Sequence, residues 1–194
     1  MTEVEHLTER YAQRTLGMHA SEIRSLFAVA SRPEIVSLAG GMPNLSALPM
    51  EMMGTLVEKL VKENGQEALQ YGSGQGHPKL REQILDVMAL EGIRANADDV
   101  VVTTGSQQAL DLISRIFIDP GDVVLAEAPS YVGALGTFQQ YQAQVVHIAL
   151  DDHGLIPEAL REAIRTVRFS GRKIKFLYLI PNYQNPSGVL LSAD

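Results

Sequence analysis

The stretch from Asp99 to Ala126, DVVVTTGSQQALDLISRIFIDPGDVVLA, constrains the fold of this chain more than any other. Val100, Val101 and Val102 form a short continuous apolar run, the pattern of a strand buried on both faces. Thr103-Thr104-Gly105-Ser106 interrupts it with turn and N-cap residues. Ala109, Leu112, Ile113, Ile116 and Phe117 then recur at helical spacing, giving one apolar helix face. Asp119-Pro120-Gly121-Asp122 ends that helix, and Val123-Val124-Leu125-Ala126 begins a second buried strand. A strand running straight into a helix presents backbone N–H groups at the positive end of the helix dipole, a setting that favours phosphate. Gly105-Ser106-Gln107 is therefore a candidate phosphate site, with an ordinary strand-to-helix turn as the alternative. No Gly-x-Gly-x-x-Gly and no P-loop Gly-Lys-Ser/Thr surrounds it, which argues against dinucleotide and NTP binding.

The same alternation continues downstream. Pro129-Ser130-Tyr131 leads into a short helix, 145–150 reads as a strand, 157–167 as a helix and 176–180 as a buried strand. Such alternation implies an α/β sheet of mostly parallel strands, whose ligands sit at the strand carboxyl ends. Gly105-Ser106, Pro129-Ser130-Tyr131 and the segment PNYQNP at 181–186 each follow a predicted strand, so all three can line one crevice. Upstream, residues 1–20 read as an arm or short helix, and Ser21 caps a helix that carries Arg24. Gly40 and Gly41 permit either close backbone approach to a ligand or a sharp turn. A helix is predicted over 49–63, its methionines filling a core, and another starts at Pro78 after the glycine-rich loop that begins at Tyr71.

The chain has 194 residues, a net charge of −7 and no cysteine, which excludes a disulfide framework and thiolate chemistry and argues against a nucleic-acid surface. No apolar run reaches membrane-spanning length and the first 20 residues are too polar for a signal peptide, so a cytoplasmic location is expected. The five histidines are scattered, and no metal site is expected.

The blocks SLAGGMP, LQYGSGQGHPKLR, VVTTGSQQALDLISR, EAPSYVGAL and FLYLIPNYQNPSG, in this order, closely resemble the fold-type I pyridoxal-phosphate aminotransferases, with the 2-aminoadipate and aromatic aminotransferases the nearest subgroup. The resemblance implies a three-layer α/β/α large domain with a mostly parallel sheet and an N-terminal arm or helix. Residues 1–45 would form the arm and substrate-side helix, and 46–194 the first part of the cofactor-binding domain. It implies pyridoxal 5′-phosphate (PLP) as cofactor and amino-group transfer from an amino acid to a 2-oxo acid, with 2-oxoglutarate the usual acceptor. Gly105, Ser106 and Gln107 would hold the cofactor phosphate, Tyr131 would stack on the pyridine ring, and Asn185 would donate to the 3′ oxygen. Tyr71 would reach the phosphate of a neighbouring subunit's cofactor, making a homodimer part of the site. Gly40 and Arg24 would lie against the substrate. Cis peptide bonds are implied before Pro129 and Pro186.

The family's Schiff-base lysine lies downstream in a serine-rich stretch, and none of Lys59, Lys62, Lys79, Lys173 and Lys175 follows such a motif. The resemblance therefore implies an N-terminal portion that is inactive by itself and lacks a catalytic residue. Two alternatives remain: a PLP-binding effector domain of a transcription regulator on the same fold, and a non-catalytic remnant. About 20 residues precede the matching region, too few for a winged helix-turn-helix within this sequence.

Overall fold

The computed structural model describes Leu7 and residues 9–18, 32, 34–36 and 45–193. The chain divides into two compact units, Gly41–Thr104 and Met1–Gly40 with Gly105–Asp194. The predicted helix at Ser21 lies outside the described residues, as do Arg24 and Gly40.

In the Gly41–Thr104 unit, α1 spans Met50–Ala68 and α2 spans Pro78–Leu90. Helix α1 runs past its expected end but breaks its helical dihedrals at Asn64 (φ −136°, ψ 25°). Its methionines are not core filler: Met50, Met52 and Met53 are all more than half exposed, because no described element covers the stripe. Pro78 occupies the first turn of α2, where a missing N–H costs nothing. Arg81, 9% exposed, ties α2 to the short 3-10 turn Ala97–Asp99 by donating to the Ala97 carbonyl at 2.8 Å. Residues 100–102 form no strand: Val102 donates to the Gln75 carbonyl at 2.8 Å, but no ladder partner exists among the described residues. A strand is stabilised by its neighbours, and apolar sequence alone does not supply one.

The second unit is an α/β layered structure. Its elements are α3 (Gly105–Phe117), β1 (Val123–Ala128), α4 (Val132–Gln140), β2 (Gln144–Asp151), β3 (Gly154–Leu155), α5 (Pro157–Phe169) and β4 (Ile174–Tyr178). The sheet order is β3-β2-β1-β4; β1 pairs parallel with β2 and β4, and β3 closes an antiparallel hairpin on β2. The expected strand at 176–180 begins and ends two residues earlier, and the two-residue β3 had no counterpart in the sequence reading.

Strand β1 is central and buried on both faces. Val123, Val124, Leu125 and Ala126 are at most 1% exposed. Val124 packs with Ile118, Ala134 and Phe138 on one side, while Val123 and Leu125 pack with Ile148 and Val167 on the other. The alternation of the strand thus divides its side chains between two helical layers. Phe138 anchors the first layer through edge contacts with Phe176 and Tyr178, each at 5.5 Å between centroids.

Helix α3 does not bury the stripe that its sequence suggested. Ile113, Ile116 and Phe117 are 44%, 74% and 52% exposed, whereas Ser114 is fully buried and Leu110 packs on the core. Two polar bonds set this rotation: Gln107 Nε2 donates to Thr137 Oγ1 at 2.6 Å, and the Tyr141 hydroxyl donates to Asp111 Oδ1 at 2.8 Å.

The amino end of the sheet is pinned by Asp122. Its Oδ2 accepts from the Asp119 N–H at 2.8 Å and from Lys175 Nζ at 3.0 Å. The donated Asp119 N–H holds this carboxyl below its ordinary value against the opposing effect of burial, and Lys175 adds to the lowering. Because the folded pKa lies below the unfolded one, the contribution is present above about pH 3.8 and is lost as pH falls through the folded value. The stability advantage of the native protein over Asp122→Asn should therefore be constant near neutrality and shrink below pH 4. Urea denaturation of both proteins across pH 2–7 checks this.

Candidate functional site

The three segments expected to converge belong to the second unit, and a chain of contacts links them. Gly105 opens α3 with φ +73°, a left-handed turn that glycine adopts without strain. Ser106 and Gln107 follow in the exposed first turn, which contains no acidic residue. First-turn N–H groups have no intrahelical acceptor and sit at the positive dipole end, so an anion is stabilised there. The Gln107 side chain is committed to Thr137, whose hydroxyl donates onward to the Gly133 carbonyl at 2.8 Å. The start of α3 is thereby tied to the first turns of α4.

Tyr131 is the N-cap of α4, three residues after the carboxyl end of β1 at Ala128. Its side chain lies over Gly133: a Cβ there would stand 2.6 Å from two ring carbons, Cε1 and Cζ, and from the hydroxyl oxygen. Glycine at this position is thus what gives the ring its place. Tyr178, at the end of the neighbouring β4, has its phenol pKa raised, chiefly by burial and then by Tyr131 and Glu127. It remains a neutral hydroxyl through the physiological range.

Asn185 lies in the segment after β4, and the Asn185–Pro186 peptide is cis, as is Ala128–Pro129 before Tyr131. Both bonds have the isomer implied by the resemblance. Tyr183, two residues earlier, sits at φ +51°, a left-handed conformation that costs a bulky residue about 1–3 kcal/mol. The surrounding hydrogen bonds sustain it. Gln184 is 3% exposed; its Nε2 donates to the Pro129 carbonyl at 2.8 Å and to Glu127 Oε2 at 3.4 Å. Glu127, 1% exposed, also accepts from the Ile180 N–H at 3.0 Å. The Tyr131 and Asn185 segments are therefore joined through buried polar groups.

Glu127 and Gln184 were missed in the sequence, as was Gly133. The signal for Glu127 was there: a carboxylate ending an otherwise apolar strand, VVLAEA, must find donors when it is buried. Tyr71 falls in the other unit, 97% exposed, with its N–H donating to Gln70 Oε1. Among the described residues no cluster of three metal-ligating side chains occurs. Lys59, Lys62, Lys79 and Lys173 are exposed. Lys175 is held by Asp122 at the amino end of β1, about 20 Å of strand away from Tyr131.

Comparison with known proteins gives this arrangement a lineage. The family model for aminotransferase class I and II matches residues 37–194. An aromatic-amino-acid aminotransferase of Thermococcus litoralis is 39% identical over 183 residues, covering 94% of this chain and 44% of that protein. A 2-aminoadipate transaminase of Thermus thermophilus is 37% identical over 183 residues with the same two coverages. The solved structure of a kynurenine aminotransferase from Pyrococcus horikoshii, in complex with PMP, superposes with a TM-score of 0.89 at 36% identity; the match covers all of this chain and 48% of that one. The chain thus spans a little under half the length of the relatives it matches. Among the described residues no helix is long and apolar enough to cross a membrane. With the family model extending over most of its length, the chain belongs to the class I and II aminotransferases.

Proposed function

We propose that this chain forms part of a cytoplasmic, homodimeric, PLP-dependent aminotransferase. Its substrates would be an amino acid of the 2-aminoadipate, aromatic or branched type and a 2-oxo acid, with 2-oxoglutarate as the usual acceptor. What supports this reading is that an acid-free helix N-terminus, a tyrosine and an asparagine lie on three segments linked by hydrogen bonds, two of them following β1 and β4. These residues fit the cofactor. The Ser106 and Gln107 N–H groups would take the phosphate, with Gly105 providing the turn. Tyr131 would stack on the ring and Asn185 would donate from its amide to the 3′ oxygen. Once bound, the cofactor supplies the electron sink for deprotonation at the substrate α-carbon.

The protein's own groups supply binding and orientation. The positive helix end would hold the phosphate without any of this chain's lysines, and the tyrosine ring would lie against the cofactor ring. Tyr71 supports the dimer reading, since a fully exposed ring is free to serve a neighbouring subunit's phosphate. Gly40 and Arg24 are assigned to the substrate on the family resemblance. None of the five lysines suits the proton transfer, as Lys175 is engaged at the far end of β1 and the others face solvent. The proposed reaction depends on a lysine other than these.

Pyridoxamine 5′-phosphate (PMP) needs no lysine to bind, so it tests the site directly. Titration calorimetry should show PMP binding at least about 100-fold tighter than pyridoxamine, because two charge-assisted hydrogen bonds are worth roughly 3–6 kcal/mol. Equal affinities would overturn the phosphate assignment. For the whole protein purified from its source, glutamate formation from 2-aminoadipate or tyrosine with 2-oxoglutarate tests the activity; cofactor binding without turnover would favour the effector-domain reading. Gly133→Ala should displace the Tyr131 ring rather than unfold the protein, weakening PMP about tenfold through lost stacking while far-UV circular dichroism stays native.

A further inference from the structure

We propose that Glu127 and Gln184 are a positioning pair that fixes the Asn185 segment against the Tyr131 segment, so that amide and aromatic face meet one cofactor ring together. This rests on the cofactor reading above, in which Tyr131 stacks and Asn185 donates.

The geometry of Gln184 is over-determined. Its Nε2 spans two acceptors, the Pro129 carbonyl and Glu127 Oε2, which lie 55 and 57 residues away in sequence. Its Oε1 accepts from the Ser187 N–H at 2.9 Å and from the Ser187 hydroxyl at 2.7 Å. The backbone is held as well, with the Gln184 N–H donating to the Val189 carbonyl at 2.9 Å and its carbonyl accepting from Gly188 at 2.5 Å. One buried amide therefore engages both ends of its side chain and both of its backbone groups.

Burial alone does not explain this choice of residues. An apolar pair would fill the same space without the cost of desolvating a carboxylate and an amide. Directional bonds give what apolar packing cannot, a single separation and orientation for two loops that leave adjacent strands. Glu127 adds a second strut by accepting from the Ile180 N–H, where the chain leaves β4. Asn185 follows Gln184 directly and precedes Ser187, so bonds on either side set the direction of its backbone. Neither Gln184 nor Glu127 carries a group assigned to the cofactor itself; both act through their neighbours.

A double-mutant cycle read by PMP affinity tests the pair. Gln184→Leu and Asn185→Ala should each weaken PMP about tenfold, and the double variant should lose about tenfold as well, because the first change already forfeits what the second removes. A product of the two losses, about 100-fold, would show that Gln184 supports the fold without positioning Asn185, and would overturn the proposal. Native affinity in Gln184→Leu would overturn it equally. Gln184→Glu removes the donor that lies between the Pro129 carbonyl and the Glu127 carboxylate, sets two carboxylates side by side and should weaken PMP; adding Glu127→Gln restores a donor between the two side chains, leaving only the Pro129 bond unmade, and should recover part of the affinity. If Gln184→Leu does not fold, this rescue decides, and no recovery refutes the pair. Failure of the native protein to bind PMP would refute the cofactor reading itself, an outcome distinct from native binding with multiplied losses.

Discussion

Everything in the second unit depends on the burial of β1 from both sides. Val123, Val124, Leu125 and Ala126 alternate between two helical layers, and fully burying each larger side chain contributes roughly 1.5–3 kcal/mol. A strand enclosed in this way cannot shift by one residue without exchanging its two faces. Its ends are consequently fixed points, and the segments that leave them inherit that precision. The Tyr131 segment departs from the carboxyl end of β1, and the Asn185 segment from the adjacent strand β4.

The two ends of the sheet serve different purposes. At the amino end, Asp119, Asp122 and Lys175 form a charged clasp that joins the α3–β1 turn to β4. At the carboxyl end the buried groups are an acid and an amide whose partners are mostly backbone, and the bonds join the segments that carry Tyr131 and Asn185. The charged clasp thus lies at the opposite end of the sheet from the acid-free first turn of α3 proposed to take a phosphate.

The sequence made β1, α4, β2, α5 and the three convergent segments legible because their signals are local. A four-residue apolar run, a proline at the first helical turn and a turn after each strand are read without knowing the rest of the chain. The errors arose where long-range contacts decide. The rotation of α3 is set by Gln107 with Thr137 and Asp111 with Tyr141, pairs 30 residues apart, so the apolar stripe at Ile113 and Ile116 was a poor guide. The valines at 100–102 had a strand's composition without a strand's neighbours. Glu127 and Gln184 looked like ordinary polar residues until the fold buried them side by side. Tyr131 was singled out by the order of motifs, but the reason its ring can lie where it does is a missing Cβ two residues later.

The hairpin formed by β2 and β3 has a consequence for how the sheet can grow. Strand β3 is only two residues long, and the chain crosses it again: a Cβ at Gly154 would meet Leu191 side-chain and backbone atoms at 2.8 and 3.0 Å, and Ser192 donates to the His153 carbonyl at 3.0 Å. A short edge covered by a returning segment offers little backbone to another strand and resists edge-to-edge aggregation. Among the described residues β4 pairs with β1 alone, so the flank beside β4 is open along the whole strand and gives an additional strand its most complete template.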